Sequence, residues 1–204
     1  HEATRSGAPM LLLNLIKWFS ENKDSEFRLT ILAVKGGPLI NEYEKYGTVV
    51  CYNKKYSLPF DFFNSFFNKR NQKKIISKLK ASQWNLIFSN TIVNGKLLEL
   101  LANNVTPVIS YIHELEFSIK NFQKKDLIKG TFLHTNYFIC GSEIVKKNLI
   151  ENHQVKSHQA EVVHSFANIS HQVKNVLISN EIKRELSIPI DAFVVGMLGN
   201  LIWR

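Results

Sequence analysis

The chain has 204 residues, of which 45% are hydrophobic and 21% charged. This composition is typical of a globular protein with a sizeable core and excludes a disordered chain. The formal charge of +9 favours an anionic partner such as a phosphorylated ligand, an acidic lipid or a nucleic acid. Two cysteines are too few for a disulfide framework and indicate a reducing compartment, the cytoplasm, and no apolar run of about 20 residues predicts a membrane-spanning helix.

The chain opens on a short polar segment, residues 1–9, which leads into an amphipathic helix predicted over Met10–Phe19. Gly7 would allow a close approach of backbone and ligand, and Pro9 suits a first helical turn. The unpaired N–H groups and the dipole of such a turn attract anions, by up to ~2 kcal/mol. We therefore expect a ligand-binding loop here, with the strand that should precede it missing from the sequence.

Short apolar segments further along the chain predict strands at 28–34, 48–52, 85–89, 107–112, 137–140 and 161–165. Helices are predicted between them at 39–46, 60–79 with an interruption near Asn68, 95–103 and 142–152. Strands that are apolar on both faces and separated by helices indicate an α/β fold with a parallel sheet covered by helices on both faces.

The pattern changes after Ala167, where a polar stretch precedes a helix predicted over 179–186 and an apolar strand predicted over 192–198. We expect a first domain over 1–168 and a linker with a helix over 169–190. Residues 191–204 would begin a second α/β domain, so that the chain is truncated at both ends.

Polar residues and one glycine follow the predicted strands at their carboxyl ends, where ligands bind in parallel sheets. These residues are Asn90, Thr91, His113, Glu114, Gly141 and Ser142. They are expected on the same edge of the sheet as Gly7. Amide, hydroxyl, imidazole and carboxylate groups together suit a polar, phosphorylated ligand.

A set of ordered motifs resembles the N-terminal half of a family 4 glycosyltransferase of the GT-B type. The motifs are His-Glu-x-x-Arg-x-Gly-Ala-Pro, Gly36-Gly37-Pro38-Leu39, Asn90-Thr91, Ile112-His113-Glu114-Leu115, Ser142-x-x-Val145-Lys146-x-Asn148-Leu149 and Val163-His164-Ser165-Phe166. Leu186-Ser187-Ile188-Pro189 and Val194-Val195-Gly196-Met197-Leu198-Gly199 resemble that family's entry into its second domain.

The resemblance implies two Rossmann-like domains facing each other, and a retaining transfer of sugar from a nucleotide diphosphate sugar to a glycan or lipid-linked acceptor. Such a reaction serves polysaccharide or glycolipid synthesis and is expected to need no cofactor and no metal. By resemblance, Gly7 and Ala8 approach the donor phosphates and His113 contacts the transferred sugar. Asn200 occupies the position of a donor-binding arginine in the family, and Ser6 precedes a single glycine where the family often has two.

Several alternatives remain open for these residues. Asn90 and Thr91 are also typical turn and cap residues, or they contact the acceptor together with Glu114. Ser142 is expected to cap a helix. The enzyme alternative is a GT-B nucleotide-sugar epimerase, and the non-enzyme alternative is a module that binds sugar nucleotides or membranes. The histidines lack the spacing of a zinc site.

The stretch Phe60–Lys80 combines phenylalanines with lysines and contains no acidic residue after Asp61. This pattern predicts a core face with a solvated basic face, or contact with the anionic inner face of a membrane. Nucleic acid is a poorer fit, because no nucleic-acid-binding motif accompanies the charge.

Overall fold

The computed structural model describes the chain in six segments, residues 2–21, 27–53, 61–103, 105–122, 125–165 and 178–195. In this part of the chain six strands occur: β1 (Thr30–Lys35), β2 (Thr48–Asn53), β3 (Ile87–Ser89), β4 (Val108–Ile112), β5 (Tyr137–Cys140) and β6 (Ala160–Val162). The helices are α1 (Gly7–Glu21), α2 (Ile40–Tyr43), α3 (Asp61–Ala81), α4 (Gly95–Leu101), α5 (Glu116–Phe122), α6 (Lys125–His134), α7 (Glu143–His153) and α8 (Ile178–Glu185). Single 3₁₀ turns lie at Ile92–Asn94 and Ser157–Gln159.

All the strand pairs described are parallel. Strands β1 and β2 form one sheet, and β3, β4, β5 and β6 form a second sheet in that order. Helical segments connect successive strands, as parallel pairing requires. The predicted fold class, a Rossmann-like α/β fold with parallel strands flanked by helices, is confirmed.

Helix α1 packs against both sheets. Its buried side chains Leu13 and Ile16 share a core with Ile31 and Ala33 of β1. Leu11 and Leu15, on another side of the helix, line a narrow apolar cleft with residues of the second sheet: Phe88, Tyr111, Ile139 and Val163. The amphipathic pattern read from the sequence thus belongs to a helix with two apolar contacts.

A second core lies between the four-stranded sheet and its helices. Ile112 and Cys140, at the ends of β4 and β5, are fully buried together with Leu149 of α7. Burial raises the pKa of the Cys140 thiol to about 11. Cys140 is therefore a protonated core residue, and no disulfide involves it or Cys51.

Four local predictions need correction. Helix α1 begins at Gly7, not Met10, because the carbonyl of Ser6 already accepts from the N–H of Met10. Helix α3 runs without a break past Asn68. Strand β6 covers Ala160–Val162, not 161–165. Helices α5 and α6 were not predicted.

The helix α6 contacts α4 through two glycines. A methyl group on Gly130 would lie 2.6 Å from the carbonyl oxygen of Gly95, and one on Gly95 would collide with the carbonyl of Leu127. The helices therefore touch backbone to backbone. Gly130 weakens the local helix signal but permits this contact, so the sequence pattern alone does not predict the helix.

The chain divides into two compact units, His1–Ala167 and Asn168–Arg204. In the second unit the structure describes helix α8, close to its predicted bounds, and a turn after it. Residues 192–195, the first part of a predicted strand, form no strand. A strand needs a neighbour for its ladder, and the described part of this unit offers none. Residues 196–198 lie outside the described segments.

Candidate functional site at the strand ends

The loop before α1 is anchored to β1 by its backbone. Glu2 forms a parallel bridge with Lys35, the last residue of β1, and the two side chains form an ion pair. The N–H of Ala3 donates to the carbonyl of Lys35 at 3.1 Å. The start of α1 is therefore placed at the carboxyl end of β1.

The Gly36-Gly37-Pro38 segment packs against this loop at Ala3. The N–H of Leu39 donates to the carbonyl of Ala3 at 3.0 Å. A side chain on Gly37 would collide with that same carbonyl. Gly37 is thus required by a close approach of two backbone segments, and this part of the resembled motif has a structural role.

Tyr43 fixes the first turn of α1. Its buried hydroxyl donates to the carbonyl of Pro9 at 2.8 Å. Burial raises the pKa of Tyr43 to about 12, so the hydroxyl keeps its proton and remains a donor at neutral pH. The helix start is held by α2 on one side and by β1 on the other.

Asn90 joins the helix start to His113. Its Nδ2 donates to the carbonyl of Ala8 at 2.6 Å, and its Oδ1 lies 3.1 Å from Nε2 of His113. Asn90 follows β3 and His113 follows β4. The sequence predicts Asn90 and His113 on the same edge as Gly7, and the structure joins both to the adjacent Ala8 in one chain of hydrogen bonds.

The Asn90 contacts determine which nitrogen of His113 carries the proton. Because Nδ2 of Asn90 donates to Ala8, its Oδ1 must accept, and Nε2 of His113 must donate. Burial lowers the pKa of His113 below its ordinary value near 6.5, against an opposing effect of the Glu114 carboxylate. The ring is therefore neutral at pH 7, with Nδ1 as a hydrogen-bond acceptor.

Nδ1 of His113 faces Gly141, which follows β5. A methyl group on Gly141 would lie 3.8 Å from this nitrogen. The next residue, Ser142, caps α7, since its Oγ accepts from the N–H of Val145 at 3.4 Å. The predicted cap is confirmed, and Gly141 places no side chain against Nδ1 of His113.

Both carboxylate oxygens of Glu114 accept hydrogen bonds from neighbouring residues of the site. One carboxylate oxygen accepts from the hydroxyl of Thr91 at 2.6 Å, and the other accepts from the backbone N–H of His113 at 3.0 Å. Thr91 also caps the 3₁₀ turn through the N–H of Val93. Both residues thus hold the two strand-end turns together, as the cap interpretation predicted for Thr91.

Tyr111 also belongs to the site, although the sequence analysis does not predict it. Its ring lies 4.1 Å from the His113 ring, centroid to centroid, and its hydroxyl donates to the carbonyl of Val163 at 3.0 Å. Tyr111 lies two positions before His113, so both side chains lie on one face of the extended chain. That two-residue spacing is the signal that could have found it.

The space around the helix start is open. Gly7 is exposed, and a methyl group on it would meet nothing within 4 Å. The apolar cleft under α1 has a volume of about 60 Å³, much less than the ~300–1,000 Å³ of ordinary ligand pockets. The described side of the site is therefore an open surface, which offers backbone N–H groups at Gly7 and an acceptor at His113.

Two residues named in the sequence predictions, Asn200 and Phe60, lie outside the residues that the structure describes. Within the six described segments, no group of three or more His, Cys, Asp or Glu side chains is placed to hold a metal ion. None of the helices described is both long enough and apolar enough to cross a membrane.

Comparison of the chain with protein-family models and with curated proteins finds no match. Function is therefore inferred from the ordered motifs and from the geometry of the strand-end cluster, which we define as Gly7, Ala8, Asn90, Thr91, Tyr111, His113 and Glu114.

Proposed function

We propose that the full-length protein is a retaining glycosyltransferase. It moves a sugar from a nucleotide diphosphate sugar to a glycan or a lipid-linked acceptor, at the inner face of the cytoplasmic membrane. The observation that carries the proposal is the hydrogen-bonded path from Ala8 through Asn90 to His113. This path joins a helix N-terminus, which suits a phosphate, to an imidazole acceptor, which suits a sugar hydroxyl.

The phosphate end of the site is the first turn of α1. Gly7 and Ala8 are its first residues, and the helix is 15 residues long, so its dipole is fully developed. Pro9 has no N–H, which leaves the N–H groups of Gly7 and Ala8 as the donors of this turn that a diphosphate would use. A leaving diphosphate would be stabilised there as its charge develops.

The sugar end of the site is His113. Its neutral ring carries the proton on Nε2, toward Asn90, and presents the Nδ1 lone pair on the side of Gly141. A sugar hydroxyl can donate to that lone pair. Such a contact would orient the sugar while the bond to the diphosphate breaks, and no proton need leave the ring.

The test is sugar transfer by the full-length protein and its His113→Ala variant. A panel of radiolabelled uridine and guanosine diphosphate sugars is offered with a membrane lipid extract and with soluble oligosaccharides. We expect transfer from one donor and a loss of about a hundred-fold in kcat/KM for His113→Ala, the size found when one positioned donor or acceptor is removed. Anomeric retention is read from the NMR coupling of the product.

The matched control is His158→Ala, which removes an exposed histidine of the same domain. Transfer by this variant should equal that of the wild-type protein. Wild-type kinetics for His113→Ala would remove His113 from the reaction, and absence of transfer from every donor would remove the glycosyltransferase proposal.

The same experiment separates the two alternatives. An epimerase would convert the free nucleotide sugar without any acceptor, and a chromatogram of the donor pool shows that product. A non-catalytic module would bind a nucleotide sugar in calorimetry and turn over none. The strand-end cluster favours neither alternative over transfer, so both stand as outcomes of the test.

A further inference from the structure

Helix α3 carries a large, exposed basic face. Six cationic side chains, all exposed, make up this face: Lys69, Arg70, Lys73, Lys74, Lys78 and Lys80. No Asp or Glu occurs in the sequence between residues 62 and 98. Asp61, the first residue of α3, is the only acidic residue of the helix, so no carboxylate lies among the six cations or in the segment that follows the helix.

The opposite face of α3 is the one that packs on the protein. Ile76 and Leu79 are buried, and Gln72 donates to Oδ1 of Asn53 at 2.6 Å. At about 100° per residue, the six cations span roughly half of the helix circumference, on the side away from these contacts. The basic face is thus turned outward along its whole length.

The contacts of α3 also show which way it runs. Gln72 lies beside Asn53, the last residue of β2. Trp84 donates to the carbonyl of Leu79 and accepts from the hydroxyl of Thr106, two residues before β4 begins. Because Gln72 is level with a strand end and Leu79 with a strand start, the first eleven residues of α3, about 16 Å of helix, extend past the end of β2.

That extension lies on the side of the strand-end cluster. Lys35 ends β1 next to β2 and bridges Glu2, six residues before Ala8. Phe67, in the extending part of α3, is 43% exposed. It falls on the same helical stripe as Lys74 and Lys78, which lie about two and three turns further on, at spacings of seven and eleven residues. An aromatic ring is therefore set within the basic face.

We propose that the basic face of α3 docks on a membrane surface of anionic phospholipids. Lysines on long stems around an exposed aromatic ring suit the headgroup region, where the charges meet phosphates and the ring meets acyl chains. Five of the six cations are lysines on one helix, whereas reading of bases in a groove favours arginine. This docking deepens the proposed function, on which it rests for the membrane location, by naming the surface that meets the membrane, and it is measured without any donor sugar.

The test is co-sedimentation of the full-length protein with vesicles. One set contains phosphatidylcholine with about 30% phosphatidylglycerol, and the other contains phosphatidylcholine alone. We expect binding to the anionic set, none to the neutral set, and loss of binding at 1 M salt, where charges are screened within ~3 Å. The variant Lys73→Glu, Lys74→Glu, Lys78→Glu should bind at least about a hundred-fold more weakly.

The control variant Lys125→Glu, Lys129→Glu, Lys156→Glu makes the same change in net charge at exposed positions elsewhere. It should retain most of the binding, and circular dichroism checks that both variants fold. The proposal is overturned by equal binding to the two vesicle sets, by an equal loss in both variants, or by a DNA 20-mer that binds as tightly as the anionic vesicles do.

Discussion

The side chain of Asn90 joins the start of helix α1 to the ring of His113 through two hydrogen bonds. Its amide orientation is fixed by the carbonyl of Ala8, and this in turn fixes the proton of His113 on Nε2. The carboxamide therefore transmits the position of the helix start to the imidazole. An aspartate at position 90 would have no N–H to donate and would break the path at Ala8.

Gly7 provides a test of ligand contact at the residue scale. Open space surrounds it, so Gly7→Ala should leave the free energy of unfolding unchanged or raise it by up to ~1 kcal/mol. If the diphosphate approaches the backbone here, the added methyl group would raise KM for the donor at least about ten-fold. Chemical denaturation and donor-saturation kinetics measure the two effects separately.

The control is Gly36→Ala, which also adds a methyl group in open space but in the turn after β1. It should change neither quantity. An unchanged donor KM for Gly7→Ala would show that the helix start does not contact the diphosphate.

At the scale of elements, the pair α4 and α6 shows how a helix contact overrides helix propensity. Gly130 lies in the middle of α6. By propensity alone, alanine there would stabilise the helix by ~1 kcal/mol. In the structure a methyl group on Gly130 would press on the backbone of Gly95 at 2.6 Å, so packing opposes propensity.

We expect the steric clash to outweigh the gain in helix propensity, because neither backbone can shift without moving its helix. Gly130→Ala should lower the free energy of unfolding by about 1–3 kcal/mol. Urea denaturation followed by circular dichroism measures this change. Lys129→Ala, at the exposed neighbouring position of α6, should have little effect. A stabilised Gly130→Ala protein would contradict the close contact of the two helices.

Helix α5 is linked to α7 by a hydrogen bond between the Glu116 carboxylate and the His153 ring. Glu116 accepts from His153 at 2.7 Å and from Lys120 at 3.0 Å. Burial acts to raise the pKa of Glu116, but the hydrogen bonds from Lys120 and His153 outweigh it and lower the pKa. The Glu116 carboxylate therefore stabilises the fold above the ordinary pKa of a glutamate, and this contribution is lost as the pH falls through the lowered pKa.

At the scale of the whole molecule, His113 couples the fold to pH. Burial holds its pKa in the folded state below the ordinary value near 6.5, so protons bind the unfolded chain more readily. The free energy of unfolding should therefore be highest above pH 6.5, fall as the pH drops below it, and level off once the pH passes the folded-state pKa.

The measurement is urea denaturation of the wild-type protein and of His113→Gln between pH 7.5 and 5.5. The decrease in unfolding free energy over this range should be smaller in His113→Gln, because that variant has no buried imidazole to protonate. His158→Gln, which removes an exposed histidine, should follow the wild-type curve. Parallel curves for all three proteins would contradict the burial of a neutral His113.

The sequence by itself determined the α/β class, the strand-end position of His113 and the existence of helix α1, though not its first turn. Each of these depends on local signals, such as apolar runs of strand length, a helical spacing of leucines and polar residues directly after strands. Local signals also placed Asn90 and Thr91 directly after a strand. They could not reveal that Thr91 would bind Glu114, because that contact joins residues 23 positions apart.

Only the tertiary structure decided the rest, and the physical reason is the same in each case. The proton position on His113, the role of Tyr111 beneath its ring and the close contact of Gly95 with Gly130 all arise between segments distant in the chain. Helix α6 exists against a weak local preference because its backbone packs on α4. Packing and hydrogen bonding between elements set these features, and no spacing within one element encodes them.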